Sequence, residues 1–483
     1  MAGIVGSIKF RSESQPHAIA KDLYYLLYNS QNRGQASAKV ITQMKNPGSE
    51  IYYYNNGVKY ISLNNIEGEN QLYCEFKNNG SVRELFNHKV LTDLYGDMGI
   101  GGVSNRKLET TASLPYRFKM VALCKDGYIM NHNEIKQFLE SKDVPFKQES
   151  NESQIFTKLF HYHYLITKDG LDALKRCAEG YGDAPGIKGK YAAIAITDNT
   201  ILAICNGRPL GYALFPDQIQ ITSESAGPWS IRDEMNASNF GNYWHDIKPG
   251  EILECSRNGT IRKTTFSNPL KMCSFEWAYF SRPDSNIHGK EVGAIHREIG
   301  KIMLPKIIET IKNGGGDIDS CVVVPVQSSG LWYAIGICES SNIPYIPALY
   351  LNKYNLKSFI LDVQQDREME VRLKHIPSVS MLKDKEVILV DDSIVRGTTM
   401  RIIIDLIKLK AEPKKVHVFA AFPEKRFNCP YVESKNDFLI ADGKNAEEVA
   451  KLIHADTLTY GTHEVWISVL GPDSCYQCEQ GWD

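Results

Sequence analysis

The first half of the chain alternates short apolar runs with polar turns. The segment KYAAIAITDNTILAICNGRP holds two apolar runs around Asp198-Asn199, which predicts a β-hairpin. In AIAKDLYYLLYNSQNRG, apolar residues recur at helical spacing and stop at a glycine, which predicts a helix. The Asn- and Tyr-rich stretch YYYNNGVKYISLNNIEGENQ predicts loops and exposed hairpins. We therefore expect a β-rich first half with a few helices.

The pattern changes in the second half, where apolar strand-like runs alternate with helical ones. Strands are predicted in IDSCVVVPVQSSG, IPYIPALYLN, KEVILVDD and KKVHVFAAF, and helices in LWYAIGICESSN and from about Met400 onward. Such alternation is typical of a parallel sheet with helices on both faces. The change of pattern lies between about Pro269 and Ile295. We expect two domains, residues 1–268 and 269–483.

The amino-acid composition favours a soluble globular protein and argues against membrane and nucleic-acid-binding classes. A chain of 483 residues is too long for one core, and 43% apolar with 23% charged residues is typical of a soluble globular protein. The net charge of −2 argues against nucleic-acid or anionic membrane partners. No window approaches the roughly 18 apolar residues of a membrane span, and no signal peptide is evident. We expect a cytoplasmic location, where thiols stay reduced.

The segment VILVDDSIVRGTT is the most informative part of the chain. Asp391 and Asp392 end an apolar strand, and a loop with hydroxyl side chains precedes the next predicted helix. Backbone N–H groups there, with the hydroxyls of Ser393, Thr398 and Thr399, can hold a phosphate at the helix N-terminus. Adjacent carboxylates suit ribose hydroxyls or Mg²⁺. An acidic cap on an ordinary turn is the alternative, but the glycine and two threonines favour a phosphate site.

This loop resembles the ribose-phosphate loop of type I phosphoribosyltransferases, and DDSIVRGTT is similar to its form in the amidophosphoribosyltransferase family. Further similar segments are FEWAYFSRPDS, NGRPL, TSES, VVVPVQSSG, NKYNLKSFI, QQDREMEVRLK and ADTLTY, so the resemblance covers almost the whole chain. In that family an N-terminal Ntn-hydrolase domain takes ammonia from glutamine. A C-terminal domain uses it to make phosphoribosylamine in purine biosynthesis. The resemblance implies an α+β αββα sandwich followed by an α/β phosphoribosyltransferase domain with a parallel sheet.

The resemblance also implies a substrate, phosphoribosylpyrophosphate, and a cofactor, Mg²⁺ held through Asp391 and Asp392. The implied substrate-binding residues are Asp391, Asp392, Ser393, Val395, Arg396, Gly397, Thr398, Thr399, Ser329, Lys353, Tyr354 and Lys357. The last three belong to a loop that closes over substrate in the family. Two local departures stand out: Leu356 replaces a usual glycine in that loop, and Gln327-Ser328 replaces a Pro-acid pair in the loop expected to face pyrophosphate.

Four cysteines form a candidate metal site. Cys475 and Cys478 have the two-residue spacing of a metal clamp. The resemblance adds Cys273 and Cys429, at places where many family members carry ligands of a structural [4Fe–4S] cluster. A Zn(Cys)₄ site or four buried cysteines without metal are the alternatives. The remaining seven cysteines are expected to be mostly core residues.

The N-terminal half departs from the family where its glutaminase chemistry lies. The family needs an N-terminal Cys as nucleophile, and here that position is Ala2. Gly102 and Ser104 stand in place of a His and of the Arg that holds the glutamine carboxylate, and Asp126 stands in place of an Asn that donates to the oxyanion. Asn151, or Glu152 if the register slips, stands in place of an Asp that holds the amine. We expect a kept scaffold without glutaminase activity.

Three functions are compatible with this sequence. The leading hypothesis is formation of phosphoribosylamine with free ammonia, or with ammonia supplied by another protein. The alternative is a non-catalytic paralogue that binds phosphoribosylpyrophosphate or nucleotide and regulates or partners an active amidotransferase. A third possibility is a transferase with another amine or base as acceptor. The resemblance also implies a homo-oligomer, or a hetero-oligomer with an active homologue.

Overall fold

The computed structural model describes residues 2–10, 18–45, 56–64, 70–108, 114–146, 150–351, 371–373, 375–432 and 438–481. Lys353, Tyr354 and Lys357, predicted to face the substrate, lie outside the described residues, as does Leu356. The chain divides into two compact units. The N-terminal unit comprises Met1–Met272, Phe280–Gly289 and Tyr431–Glu433, and the C-terminal unit comprises Cys273–Tyr279, Lys290–Pro430 and Ser434–Asp483.

Two antiparallel sheets form the middle of the N-terminal unit. The strands are β1 Ala2–Lys9, β2 Ser37–Lys45, β3 Lys59–Asn64, β4 Asn70–Asn79, β5 Met98–Ser104, β6 Tyr116–Phe118, β7 Val121–Gly127, β8 Gly180–Tyr181, β9 Ala184–Pro185, β10 Tyr191–Ile196, β11 Thr200–Asn206, β12 Gly211–Leu214, β13 Gln218–Thr222, β14 Trp244–Asp246, β15 Glu251–Ser256 and β16 Ile261–Thr265. One sheet has eight strands in the order β14-β12-β13-β1-β5-β2-β4-β3, and the other has six in the order β16-β15-β11-β10-β7-β6.

Helices cover the outer face of each sheet. The helices of this unit are α1 Ala18–Asn29, α2 Val82–Leu85, α3 His88–Asp93, α4 His132–Ser141, α5 Glu152–Thr167, α6 Gly170–Glu179, α7 Ala226–Ile231 and α8 Phe240–Tyr243. α1 shares a core with β1, β2 and β4, and α4, α5 and α6 share another with β7, β10 and β11. Between the sheets, a Cβ at Gly6 would lie 2.8 Å from both Ile194 and Ile201, so the sheets pack face to face. This is the predicted αββα sandwich.

Local patterns in this unit behave as predicted. β10 and β11 form an antiparallel hairpin around Asp198-Asn199. The amphipathic helix runs over Ala18–Asn29, and a short 3₁₀ turn at Gln31–Arg33 carries the chain to Gly34. In the Asn- and Tyr-rich stretch, β3 pairs with β4 in an antiparallel arrangement.

The C-terminal unit is built on four parallel strands. The strands from the junction onward are β17 Met272–Cys273, β18 Asn286–Ile287, β19 Lys290–Glu291, β20 Cys321–Pro325, β21 Leu349–Leu351, β22 His375–Pro377, β23 Glu386–Asp391, β24 Lys415–Ala420, β25 Thr457–Tyr460 and β26 Ser474–Cys475. The helices are α9 Val292–Asn313, α10 Leu331–Glu339, α11 Val379–Leu382, α12 Thr398–Ala411, α13 Ala446–Leu452, α14 His463–Leu470 and α15 Gln477–Gln480. The parallel sheet has the order β20-β23-β24-β25.

Both faces of this sheet are buried, as the α/β prediction requires. Val322 and Val324 join a core with α12 and α13, whereas Val323 between them is also fully buried and so faces the other side. The strand predicted over IPYIPALYLN was too long: only Leu349–Leu351 is a strand, and it pairs with β22 outside the parallel sheet. Proline at 344 and 347 removes two backbone donors there. In the described residues no helix is long and apolar enough to cross a membrane.

Candidate active site

Two loops meet at the carboxyl edge of the parallel sheet. The 326–330 loop follows β20, and the 393–399 loop follows Asp391 and Asp392 at the end of β23. The amide of Val326 donates to Val390 O over 2.8 Å, which holds the first loop against the second strand. Ligands of open α/β sheets bind at such edges.

A cavity of about 630 Å³ opens between these loops. It is lined by Phe275, Tyr279, Val326, Gln327, Ser328, Ser329, Val371, His375, Asp391, Asp392, Ser393, Ile394, Val395, Arg396, Gly397, Thr398, Thr399, Met400 and Ile402. Every predicted substrate-binding residue within the described part of the chain lines it. Eight of the lining residues were not predicted from the sequence: Phe275, Tyr279, Val326, Val371, His375, Ile394, Met400 and Ile402. The rings of Phe275 and Tyr279 stack with their centroids 5.5 Å apart. Both residues belong to the segment FEWAYFSRPDS, and its aromatic residues are the sequence signal from which this part of the lining could have been predicted.

Asp392 is buried and Asp391 is half-buried, and each carboxyl accepts a hydrogen bond from a serine hydroxyl. Asp391 Oδ1 accepts from Ser329 Oγ at 2.6 Å, and Asp392 Oδ1 accepts from Ser393 Oγ at 2.6 Å. Burial raises the pKa of Asp391 to about 6, and burial with the neighbouring Asp391 charge raises the pKa of Asp392 well above its usual value. Two carboxyls in this setting favour hydroxyl donors or a cation beside them.

The 393–399 loop presents a helix N-terminus to the cavity. Gly397 precedes α12 with φ of +76°, a left-handed conformation that glycine adopts without strain. The loop is tied down because the amide of Ile440 donates to Val395 O over 2.9 Å. Thr398 and Thr399 begin α12 and line the cavity. Backbone donors, two hydroxyls and the helix dipole make this end of the cavity suited to a phosphate.

In the N-terminal unit, Ala2 is held in the sheet by a hydrogen bond from its backbone amide to the Asp126 carboxylate. Ala2 is fully buried in β1, and its amide donates to Asp126 Oδ1 over 2.7 Å. Asp126 Oδ2 lies 3.9 Å from Arg33 Nη1 and 4.0 Å from Arg208 Nε. Although burial opposes ionisation, these arginine charges hold the pKa of Asp126 below its usual value. Asp126 is therefore an ionised acceptor, which cannot donate to an oxyanion.

The neighbouring strand leaves no room for a larger side chain. Ser104 pairs with Ala2 in the sheet, is almost fully buried, and accepts from the amide of Arg106 at 3.1 Å. Gly102 stands where the resemblance places a family histidine. A Cβ there would lie 2.8 Å from Cys124 Sγ, so this position is closed by packing.

The residues at the amine-holding position are engaged in other contacts. Asn151 caps α5 by accepting from the amide of Gln154 at 3.0 Å. Glu152 Oε2 accepts from Lys125 Nζ at 2.6 Å and from the amide of Ile129 at 2.9 Å. Because Lys125 neutralises Glu152, that carboxylate is not an open site for a substrate ammonium.

A buried ion network surrounds Arg33 in the N-terminal unit. Its Nε donates to Glu224 Oε1 at 2.7 Å, and its Nη2 donates to Ser281 Oγ at 2.8 Å. Arg33 and Glu224 are both fully buried, and Glu224 also accepts from Asn32 Nδ2 at 2.7 Å. These contacts give Arg33 a structural role in the N-terminal unit.

The four candidate cluster cysteines lie on segments that are joined by hydrogen bonds. Ser274 Oγ, beside Cys273, donates to Cys475 O at 2.7 Å, and the amide of Phe427 donates to Cys478 O at 3.0 Å. Burial, with the neighbouring thiols of Cys273 and Cys475, raises the pKa of Cys478. Across the described residues, however, no group of three or more His, Cys, Asp or Glu side chains is arranged to hold a metal ion. The donor chemistry fits a thiolate-bound metal, while the thiols stand in no coordination geometry.

Together, the parallel sheet, its acid pair and its phosphate-suited loop define a phosphoribosyltransferase-type unit, joined to an Ntn-hydrolase-type sandwich. No protein-family model matches the chain. It is 30% identical to the amidophosphoribosyltransferase of Methanocaldococcus jannaschii, covering 100% of this chain and 97% of that protein. The amidophosphoribosyltransferase of Bacillus subtilis is 29% identical, with 94% and 88% covered.

A solved structure agrees with these relatives. The glutamine phosphoribosylpyrophosphate amidotransferase from B. subtilis, complexed with ADP and GMP, superposes with a TM-score of 0.77 at 26% identity, covering 99% of this chain and 96% of that one. The chain belongs to the amidophosphoribosyltransferase family.

Proposed function

We propose that this protein forms 5-phosphoribosylamine from phosphoribosylpyrophosphate, using free or externally delivered ammonia in place of its own glutamine hydrolysis. The observation that carries the first part is the cavity that unites Asp391 and Asp392 with the phosphate-suited 393–399 loop. We assign the glutaminase-like domain to residues 1–268 and the transferase domain to residues 269–483.

The contacts around Ala2 support the second part. The nucleophile is absent, Asp126 is an ionised acceptor paired with arginines, and Glu152 is paired with Lys125. A single engineered change would leave the other positions intact. The pattern instead indicates a scaffold that has lost glutaminase chemistry at several places.

In the proposed reaction, the nitrogen lone pair of ammonia forms a bond to C1 of the ribose. The bond from C1 to the pyrophosphate oxygen breaks, the pyrophosphate leaves with the electron pair, and the new amine loses one proton to solvent. Asp391 and Asp392 would hold the ribose hydroxyls and stabilise positive charge developing at the ring. Mg²⁺, held by the same carboxylates and by the substrate, would neutralise the leaving pyrophosphate.

The test is pyrophosphate release by the purified protein with phosphoribosylpyrophosphate and Mg²⁺. We expect release with ammonium at alkaline pH, where more free ammonia is present, and none with glutamine. An Asp391→Asn, Asp392→Asn double variant, checked for folding by circular dichroism, serves as the matched control. Release with glutamine alone would overturn the proposal for the N-terminal unit.

The alternative is a non-catalytic regulator that binds phosphoribosylpyrophosphate or nucleotide and pairs with an active homologue. It is favoured by Gln327 and Ser328, which line the cavity where the family carries an acid. Binding by calorimetry with no turnover under ammonium, together with co-purification of an active amidotransferase, would support the regulator over the enzyme.

A further inference from the structure

The two carboxyls of the acid pair are held by hydroxyls from different loops. Ser329 of the 326–330 loop donates to Asp391 Oδ1 at 2.6 Å, whereas Ser393 of the 393–399 loop donates to Asp392 Oδ1 at 2.6 Å. The amide of Asp392 also donates to Asp391 Oδ1, at 2.9 Å. Two donors on one oxygen fix the rotation of the Asp391 carboxyl group.

The loop that carries Ser329 is packed directly on the strand that carries Asp391. A Cβ at Gly330 would lie 1.9 Å from Val390 O, so only glycine fits beside that carbonyl. The amide of Gly330 donates to Val326 O at 2.9 Å, which closes the turn. The Ser329 backbone therefore has a fixed position relative to Asp391.

The turn of the backbone directs the hydroxyls of Ser328 and Ser329 to different acceptors. Ser328 has φ of +68°, which is uncommon for a residue with a side chain. Its hydroxyl donates to Gln327 O at 2.7 Å, within its own loop, whereas the next hydroxyl, that of Ser329, reaches Asp391. Strain of this kind is typical of functional loops.

We propose that Ser329 is a positioning residue, which orients the Asp391 carboxyl toward the ribose and contributes little to holding pyrophosphate. This inference rests on the proposed function of the cavity. With Asp391 Oδ1 held by its two donors, Oδ2 is the oxygen that a ribose hydroxyl can approach. Loss of the Ser329 hydroxyl leaves the carboxyl free to rotate and misaligns it as charge develops at the ribose ring.

Steady-state kinetics with ammonium as the nitrogen source distinguish a residue that positions Asp391 from a residue that binds pyrophosphate. For Ser329→Ala we expect kcat to fall about 10-fold while KM for phosphoribosylpyrophosphate changes less than about 3-fold. Ser329→Thr keeps the hydroxyl and is expected to recover most of kcat. A rise in KM with unchanged kcat, together with weaker product inhibition by pyrophosphate, would show a pyrophosphate ligand and overturn the proposal.

Calorimetry measures ligand binding without turnover. It can therefore disprove the positioning role of Ser329 whether or not the protein forms phosphoribosylamine. We expect Ser329→Ala to weaken ribose 5-phosphate binding about 2- to 3-fold, within the limit set for KM, and to leave Mg²⁺-pyrophosphate binding at the wild-type value. The reverse pattern would overturn the positioning role. Ser341→Ala, which loses a hydroxyl bonded to Ile337 O at 2.9 Å outside the cavity lining, is the matched control. Thermal midpoints of all variants exclude unfolding as the cause.

Discussion

The carboxylate of Asp126 is held by a backbone amide and two buried arginines. Its ionised form is favoured because Arg33 and Arg208 offset the cost of burial. Removing one member of such a network leaves the others buried without their counter-charge. Asp126 is thereby part of the buried charge network that stabilises the N-terminal unit.

Asp126→Asn is therefore expected to destabilise the N-terminal unit by about 3 kcal/mol, because it removes a buried carboxylate charge beside Arg33 and Arg208, while Arg33 keeps Glu224. Urea unfolding followed by circular dichroism measures this. Asp183→Asn, which removes only an exposed ion pair with Lys142, is the control and is expected to leave the midpoint near wild type. Equal midpoints for both variants would contradict the importance of the network.

Ala2→Cys tests whether the proposed loss of glutaminase chemistry depends on one residue. We expect no glutamate release from glutamine, because Asp126 still repels an oxyanion and packing still closes the Gly102 position. Glutamate production is measured on protein whose processed N-terminus has been verified by mass spectrometry. Turnover by this single variant would show that the other altered positions are tolerated.

At the scale of elements, α5 buries two histidines in the N-terminal unit. His161 and His163 are 3% and 1% exposed, and burial lowers the pKa of each to about 4. In the unfolded chain a histidine takes up its proton near pH 6.5. The unfolded state then binds more protons than the folded state between pH 6.5 and 4, so stability falls as the pH falls through that window.

We expect the free energy of unfolding to decrease by on the order of 2 kcal/mol for each of these histidines between pH 7 and 4.5. His163→Leu should reduce this loss, since leucine does not titrate. Urea unfolding at several pH values gives the slope. His88→Gln, at an exposed position on α3, should keep the wild-type slope; a slope unchanged in both variants would argue against the role of His163.

Elements with a strong local pattern could be predicted from the sequence, and elements set by distant contacts could not. The β10–β11 hairpin follows from two apolar runs and the Asp198-Asn199 turn. The acid pair followed from its place after an apolar strand. By contrast, the Lys125–Glu152 ion pair joins the end of one strand to the start of a helix 27 positions away. No pattern of nearby residues predicts that these two side chains meet. The same holds for Ser329 and Asp391, which are 62 positions apart.

At the scale of the whole molecule, the segments that carry the four candidate cysteines are joined by hydrogen bonds between Ser274 and Cys475 and between Phe427 and Cys478. We propose that these cysteines hold a [4Fe–4S] cluster, with zinc as the other chemistry that four thiolates allow. Burial raises the pKa of Cys478, and a bound metal cation would favour the thiolate form there.

Protein purified without oxygen is expected to show a broad visible absorption that a reductant bleaches, with about four irons per chain. Cys475→Ser should lose the absorption and most of the iron. Cys338→Ser, at a half-buried cysteine on α10, should retain both. Zinc in place of iron would identify the alternative site, and protein free of both metals would contradict a metal site altogether.

The position of β1 has a consequence for the order in which the chain folds. β1 lies between β5 and β13, and its Ile4 carbonyl accepts from the amide of Ser223, 219 positions further along the chain. During synthesis, β1 can pair with β5 early but must wait for its second partner, β13, until more than two hundred further residues have left the ribosome. Pairing over so long a stretch is slow and leaves an open strand edge in the meantime. Chaperone dependence and aggregation at high synthesis rates are therefore expected to concentrate in this unit.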